Sequence, residues 1–222
     1  MPLWTCEQCG AQFPESATPP PACPVCEDER QYVNWKGQTW LTREELAKGH
    51  KLVWRDDLGI VGLGAIGATM AQLCLDLGAR VRGYDPFANA DRIVHPNFAR
   101  VDLDGAITGV DAVSLHAPLP EDGRPLLTAE RIAAMKPATV LVNTARAGLV
   151  DAETLLEALD SGHVACYATD VFETEPPAHS SLLDHPKVVL TSHIGGFTDA
   201  SVERSTVRAV ANLLDALARD AH

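Results

Sequence analysis

The sequence predicts an α/β fold, a doubly wound parallel sheet preceded by a small ribbon built on four cysteines. Three observations carry this. Leu58–Gly67 reads LGIVGLGAIG, a short apolar strand running into Gly62-x-Gly64-x-x-Gly67. Short apolar strands and capped helices then alternate along the rest of the chain, the pattern of a parallel sheet with helical crossovers. Two CxxC pairs, Cys6–Cys9 and Cys23–Cys26, stand ahead of it.

The two pairs are separated by 13 residues. Each can place two thiolates on one metal from a tight turn. Four thiolates fit a closed tetrahedral site, so Cys6, Cys9, Cys23 and Cys26 are the expected ligands of a structural zinc ion. Iron in the same cage, or a redox CxxC, are the alternatives. Pro14 and Pro19–Pro21 stiffen the loop between the pairs. Residues 1–50 hold too few apolar groups for a core, so the metal should supply much of their folding energy. The expected division is ribbon and linker at 1–50, and sheet domain with a C-terminal helix at 51–222. All four Trp precede Leu58, a composition shift that fits two pieces of different origin.

The glycine run carries a specific expectation. Gly62 allows a tight strand-to-helix turn, Gly64 lets the backbone approach a pyrophosphate, and Gly67 lets helix and strand pack closely. The anion would rest on the helix N-terminus, around Ala65 and Ile66, where the dipole favours it. This is the Rossmann arrangement, and it calls for a dinucleotide. Ile66, Met70, Leu73, Cys74 and Leu77 lie on one helical face, read here as the buried one, and Gly78 ends the helix. Val81–Tyr84 is the second strand. Asp85 follows it, 18 residues past Gly67, close to where an acid binds the adenosine ribose hydroxyls.

The later elements follow in turn. Ala112–Leu115 is a strand. Thr128 caps a helix through Met135, stopped by Pro137. Thr139–Val142 is the next strand. Asp151 caps a helix with Leu155, Leu156 and Leu159 on one side, ending near Gly162. Ala165–Val171 and Val188–Leu190 are further strands. Near the C-terminus Val207, Val210, Ala211, Leu214, Leu217 and Ala218 form the apolar stripe of a last helix.

Ligands of such sheets bind beyond the carboxyl ends of the strands. Three residues there stand out: Arg146 in NTARAG, Glu175 in DVFETEPP and His193 in TSHIGG. Arg can grip a carboxylate in a bidentate fork and polarise a neighbouring carbonyl. His can exchange a proton with a hydroxyl or carbonyl oxygen. A carboxylate beside an imidazole favours its protonated form. Taken singly, each has a plain structural role open to it, as a helix-terminus charge, a loop acid or a turn residue. After a dinucleotide fingerprint, the set fits hydride transfer to or from a 2-hydroxy acid.

The segments GIVGLGAIG, GYDPF, SLHAPL, NTARAGLVDAETLLEAL, DVFETEPP and TSHIGG resemble the NAD-binding domain of the D-isomer-specific 2-hydroxyacid dehydrogenases. The resemblance runs from Leu58 to the C-terminus. It implies that Arg146 binds the substrate carboxylate, that His193 is the general acid/base, and that Glu175 is its partner. It places Asp170 beside the nicotinamide, and Thr144, Ala145, Pro118, His116 and Gly195 in the cofactor cleft. Asp85 implies NAD over NADP, because a carboxylate repels a 2′-phosphate. Ala147 and Ser192 depart from the family's usual glycine and proline without removing a functional side chain. The family also carries a second α/β domain. Only 61 residues precede Gly62, so that substrate domain is expected to be missing, or supplied by another chain, or its loss balanced by a homodimer. The alternatives to an oxidoreductase are an NAD-binding module without turnover and a truncated or fused gene product. The ribbon resembles the zinc-ribbon leader of some metallo-β-lactamase-fold hydrolases. No HxHxDH cluster accompanies it, so no hydrolase activity is implied.

Composition narrows the partners. A net charge of −12 argues against nucleic acid. No apolar run is long enough for a membrane helix, and the N-terminus lacks the basic-then-apolar pattern of a signal peptide, so a cytoplasmic location is expected. Cys74 and Cys166 read as small hydrophobes. The remaining histidines, His50, His95, His163, His179, His185 and His222, read as surface or loop residues.

Overall fold

A computed structural model describes residues 2–7, 12–13, 15–23, 39–42, 45, 48, 56–87, 93–191, 193 and 199–220. Near the N-terminus, Trp4–Cys6 (β1), Gln12–Phe13 (β2) and Trp40–Thr42 (β3) form an antiparallel sheet in the order β2-β1-β3. Aromatic contacts hold it: the Phe13 and Trp40 rings meet edge to face at 5.1 Å, and the Trp4 indole donates to the Ser16 carbonyl at 3.2 Å. Cys6 ends β1, and both it and Cys23 are fully buried. Cys9 and Cys26 lie outside the described residues. Among the described residues no three His, Cys, Asp or Glu gather as a metal site.

The large sheet has seven strands: Asp57–Val61 (β4), Arg80–Tyr84 (β5), Phe98–Arg100 (β6), Ala112–Leu115 (β7), Thr139–Asn143 (β8), Val164–Thr169 (β9) and Val188–Leu190 (β10). Their order is β10-β9-β8-β7-β4-β5-β6, and every pair is parallel. The chain enters at β4, winds outward through β5 to β6, then crosses back to β7 and winds the other way. The switch point lies between β4 and β7, which is where such sheets open a crevice. Burial on both faces explains the continuous apolar strands; all four residues of β7 are buried.

Four helices connect them: Ala65–Asp76 (α1), Leu103–Ile107 (α2), Ala129–Ala134 (α3) and Ala152–Ser161 (α4). Asp102 caps α2 by accepting from the Gly105 amide at 2.7 Å, and Asp151 caps α4 from Thr154 at 2.9 Å. The Thr154 amide holds the Asp151 carboxyl below the usual carboxylate range. Gly162 ends α4 in the left-handed region, at φ 79°. At the amino edge of the sheet Arg80 forks onto Asp57 at 2.7 Å and Lys136 bonds Asp111, so these charges clamp strand starts.

One expectation needs correction. The apolar residues of α1 read as its buried face point outward: Ile66, Leu73 and Leu77 are more than half exposed, Met70 is exposed at its edge, and Cys74 is only half-buried. Gly67, Ala71 and Leu75 face the sheet instead. At its first turn the helix approaches the end of β4 too closely for any side chain, so Gly67 stands there, and Ala71 and Leu75 follow on the same face. His185, expected on the surface or in a loop, lies in the loop before β10 with only 9% of its side chain exposed, 3.3 Å from Asp160. β6 and α2 were not anticipated, and β9 ends at Thr169, not Val171. No helix among the described residues is long and apolar enough to cross a membrane.

The chain divides into two compact units, Met1–Ser192 and His193–His222. The second contains Asp199–Asp220 (α5). Of its expected stripe, Val207, Val210, Ala211 and Leu214 are exposed, and the side chains of Leu217 and Ala218 lie outside the described residues.

The corrected α1 orientation has a direct check in urea unfolding. Leu75→Ala should lower stability by about 2–5 kcal/mol through a core cavity, whereas Leu73→Gln should change it by less than about 0.5 kcal/mol. Equal losses would return Leu73 to the core.

Candidate functional site

The cleft is built around one turn. Gly62 directly follows β4 at φ +93°, and a Cβ there would lie 2.6 Å from the His116 carbonyl carbon. A Cβ on Gly67 would lie 1.8 Å from the Gly62 carbonyl oxygen. Both glycines are therefore demanded by the protein's own backbone. Gly64 is different. Its φ is −62°, open to any residue, and a Cβ would meet nothing within 4 Å. The space it leaves lies over the N-terminus of α1.

That helix end is electrostatically bare. No side chain caps α1, and its first turn carries no acid. The first turns of α2, α3 and α4 carry Asp104, Glu130 and Glu153. A helix N-terminus without an internal anion is suited to an external one. The residues thus fit a pyrophosphate: the one glycine without a protein reason stands where it would approach.

A cleft of about 770 Å³ opens here, lined among others by Gly62, Gly64, Asp85, His116, Pro118 and Phe87. Asp85 ends β5. Its two carboxylate oxygens accept from the Leu63 and Phe87 amides, each at 2.8 Å, which ties it to the glycine turn. Phe87 is 95% exposed on the cleft lip. His116 follows β7, with Nε2 2.9 Å from the Ser114 hydroxyl. Burial pushes its imidazole below the ordinary histidine value, so it is neutral near pH 7.

The ends of β8 and β9 form a second group. Asn143, the fully buried last residue of β8, donates to the Arg146 carbonyl at 2.9 Å and to the Tyr167 hydroxyl at 3.2 Å. Its own side-chain oxygen accepts from Ala145 at 3.1 Å. The Thr169 hydroxyl donates to the Asn143 carbonyl at 2.9 Å, tying the two strand ends together. This network fixes the Thr144–Arg146 turn. The Arg146 side chain is exposed, with Nη1 donating to the Ala145 carbonyl at 2.6 Å. Burial pushes the Tyr167 phenol up. Asp170 follows β9 directly, and Glu175 is exposed further along the same loop.

Gly62, Gly64, Asp85, His116 and Pro118 thus share one cleft, with Ala65, Ile66 and Gly67 in the helix turn beside it. Thr144, Ala145, Arg146, Asp170 and Glu175 stand at the carboxyl ends of two neighbouring strands. His193 opens the second unit, half-buried and left-handed at φ 53°, a region where histidine is enriched among non-glycine residues. Gly195 lies outside the described residues. Asn143 and Thr169 were not singled out from sequence. A polar residue closing the apolar run TVLVN just before TAR was the available signal, since Asn bonds backbone two residues on.

Known proteins match this arrangement. Residues 27–195 match the family described as D-isomer specific 2-hydroxyacid dehydrogenase, NAD binding domain, starting within the stretch expected to be ribbon and linker. D-3-phosphoglycerate dehydrogenase of Bacillus subtilis is 42% identical over 141 residues, 64% of this chain and 27% of that protein. Hydroxypyruvate reductase of Thermotoga maritima is 36% identical over 191 residues, 85% of this chain and 60% of that protein. A D-lactate dehydrogenase from Aquifex aeolicus, solved with NAD and lactic acid, superposes with a TM-score of 0.60 at 30% identity, covering 72% of this chain and 54% of that one. The chain therefore spans less than two thirds of each of these proteins.

The two kinds of glycine should separate experimentally. Gly64→Ala should change thermal stability by no more than about 1 kcal/mol yet weaken NADH binding at least roughly tenfold, read by fluorescence titration. Gly67→Ala should cost about 2–3 kcal/mol through overpacking. Undiminished NADH binding by Gly64→Ala would remove the pyrophosphate from this turn.

Proposed function

The chain belongs to the D-isomer specific 2-hydroxyacid dehydrogenase family and carries its NAD-binding domain, and from that premise we propose that it serves an oxidoreductase acting on the CH–OH carbon of a small 2-hydroxy acid, or on the carbonyl of the matching 2-oxo acid. The observation that carries this reading is the open space at Gly64 over an uncapped helix N-terminus, inside a cleft at the switch point of the sheet.

Bound NAD supplies the hydride acceptor, and NADH the donor, at the reacting carbon. The chain's own residues do the rest. Arg146 grips the substrate carboxylate with its guanidinium fork and turns the neighbouring oxygen toward the acid/base group. His193 takes the hydroxyl proton on oxidation and returns it to the carbonyl oxygen on reduction. Glu175 partners His193 and stabilises the imidazolium formed in oxidation. Asn143 positions Arg146 by holding its carbonyl and the preceding turn. Asp85 takes the adenosine ribose hydroxyls, Asp170 serves the nicotinamide side, and Thr144, Ala145, Pro118, His116 and Gly195 are the further cofactor contacts. A substrate domain, from a second chain or across a homodimer, would exclude water over this edge. A reducing cytoplasm suits the unpaired thiols Cys74 and Cys166, which burial raises above the usual thiol value.

Cys6, Cys9, Cys23 and Cys26 are proposed to hold a structural zinc ion. Burial of Cys6 at the end of β1, and of Cys23 outside the strands of that small sheet, supports this. Metal analysis of the purified chain should find about one zinc per chain, lost in a variant with Cys6 and Cys23 changed to Ser; zinc far below that level would end the assignment.

Activity has its own assay. NADH oxidation should be measured with glyoxylate, hydroxypyruvate, pyruvate and phosphohydroxypyruvate. Arg146→Ala should lower kcat/KM roughly hundredfold or more while leaving NADH affinity unchanged. No oxidation with any of the four acids, or full activity in Arg146→Ala, would rule the mechanism out.

A further inference from the structure

Tyr167 brings a phenol hydroxyl into the core of the sheet. It lies within β9 and is only 3% exposed. It belongs to the buried cluster that holds Leu141, Leu149, Val150 and Leu155. The hydroxyl accepts from the Asn143 side chain at 3.2 Å, inside the protein. In the parallel ladder Thr169 stands opposite Asn143, and Tyr167 comes two residues earlier, on the same face of β9.

Asn143 makes three side-chain hydrogen bonds among the described residues, and they differ in kind. Its oxygen accepts from the Ala145 amide at 3.1 Å, and its nitrogen donates to the Arg146 carbonyl at 2.9 Å. Both partners belong to the Thr144–Arg146 turn itself. These two bonds shape the turn but would travel with it if it swung. The bond to Tyr167 reaches a neighbouring strand, 24 residues away. Of the three, it alone refers the side chain to the sheet. Thr169 does the same for the main chain, donating to the Asn143 carbonyl at 2.9 Å.

Arg146 needs such a reference. Its side chain is exposed and bonds the carbonyl of its own neighbour, Ala145, at 2.6 Å. A contact that local gives the guanidinium no direction relative to the sheet. Direction matters to a fork that must meet two carboxylate oxygens at once, and a misplacement of about 1 Å can cost roughly a hundredfold in rate.

We propose that Tyr167 is a positioning residue for the reaction: through Asn143, its hydroxyl fixes the turn that aims Arg146 at the substrate carboxylate. The proposal rests on the oxidoreductase reading of the site and deepens it. The phenol suits the task, because burial pushes its titration up and it stays uncharged near neutral pH. A phenylalanine would fill the same core volume. Only the hydroxyl would go, leaving an Asn143 N–H buried without that acceptor.

The test compares Tyr167→Phe with the unmodified chain, alone and combined with Arg146→Ala. NADH oxidation is measured at saturating NADH with the best of the four 2-oxo acids, and NADH affinity by fluorescence titration. KM for the acid should rise roughly tenfold, with kcat within about threefold and NADH affinity within about twofold. In the Arg146→Ala background the same substitution should change kcat/KM by less than about twofold, because its effect passes through Arg146. An unchanged KM in Tyr167→Phe overturns the role of Tyr167 alone. An equal factor in both backgrounds overturns it too, as does a loss of NADH affinity matching the rise in KM, since a purely structural hydroxyl would give either. If the unmodified chain oxidises NADH with none of the acids, the oxidoreductase reading falls and takes this proposal with it.

Discussion

The close packing of Gly62 between Gly67 and the His116–Ala117 peptide is the contact on which the site depends. Side chains at either glycine would overlap main-chain atoms, so β4, α1 and β7 meet backbone to backbone at the switch point. Three consequences follow from that single contact. The first turn of α1 is fixed over the crevice, where its unsatisfied amides face outward. The helix must present Gly67, Ala71 and Leu75 to the sheet, which drives its long apolar residues to the surface. The loop after β7 is brought beside the loop after β4, and His116 becomes a wall of the cleft.

The same contact explains why some of the site was legible in the sequence and some was not. Glycine spacing reports backbone constraints directly, and Gly62, Gly64, Gly67 and Asp85 fall where the motif puts them. Capping residues are equally local, and Asp151 and Gly162 bound α4 as their chemistry requires. The face of α1 was misread because periodicity identifies a stripe and not the direction it points. Close approach at Gly67 fixes which face turns inward, and Ala71 and Leu75 follow it. Asn143 was missed because its partners, the Tyr167 hydroxyl and the Arg146 carbonyl, meet only when β8 and β9 pair. β6 and α2 are short, three and five residues, and carry little periodicity of their own. Half of the cysteine set, Cys9 and Cys26, lies outside the described residues, and among those described no metal-ligating group gathers.

The first turns of the helices distinguish structural from functional electrostatics. Three helices of the sheet domain satisfy their dipoles internally with Asp104, Glu130 and Glu153, and two of them add an Asp N-cap. α1 does neither. An uncapped N-terminus with no acid forgoes roughly 0.5–2 kcal/mol that a capping side chain would supply. A sequence that puts an acid in the first turn of each of these three helices, and leaves this one bare beside a glycine with no steric duty, has given up local stability at a point suited to an anion.

Binding and chemistry are also carried by separate parts of the chain. The cleft is assembled from the turns after β4, β5 and β7, all between Gly62 and Leu126. The groups assigned to the reaction come later, from the ends of β8 and β9 and from His193 in the second unit. Arg146 has no burial of its own to hold it; its position derives from Asn143, whose amide is satisfied only when the Thr144–Arg146 turn is closed. A buried amide left unsatisfied is costly, so the turn stays closed whether or not the cleft is filled. The backbone that carries Arg146 is thus held by the sheet itself, and the dinucleotide cleft is built from other strand ends.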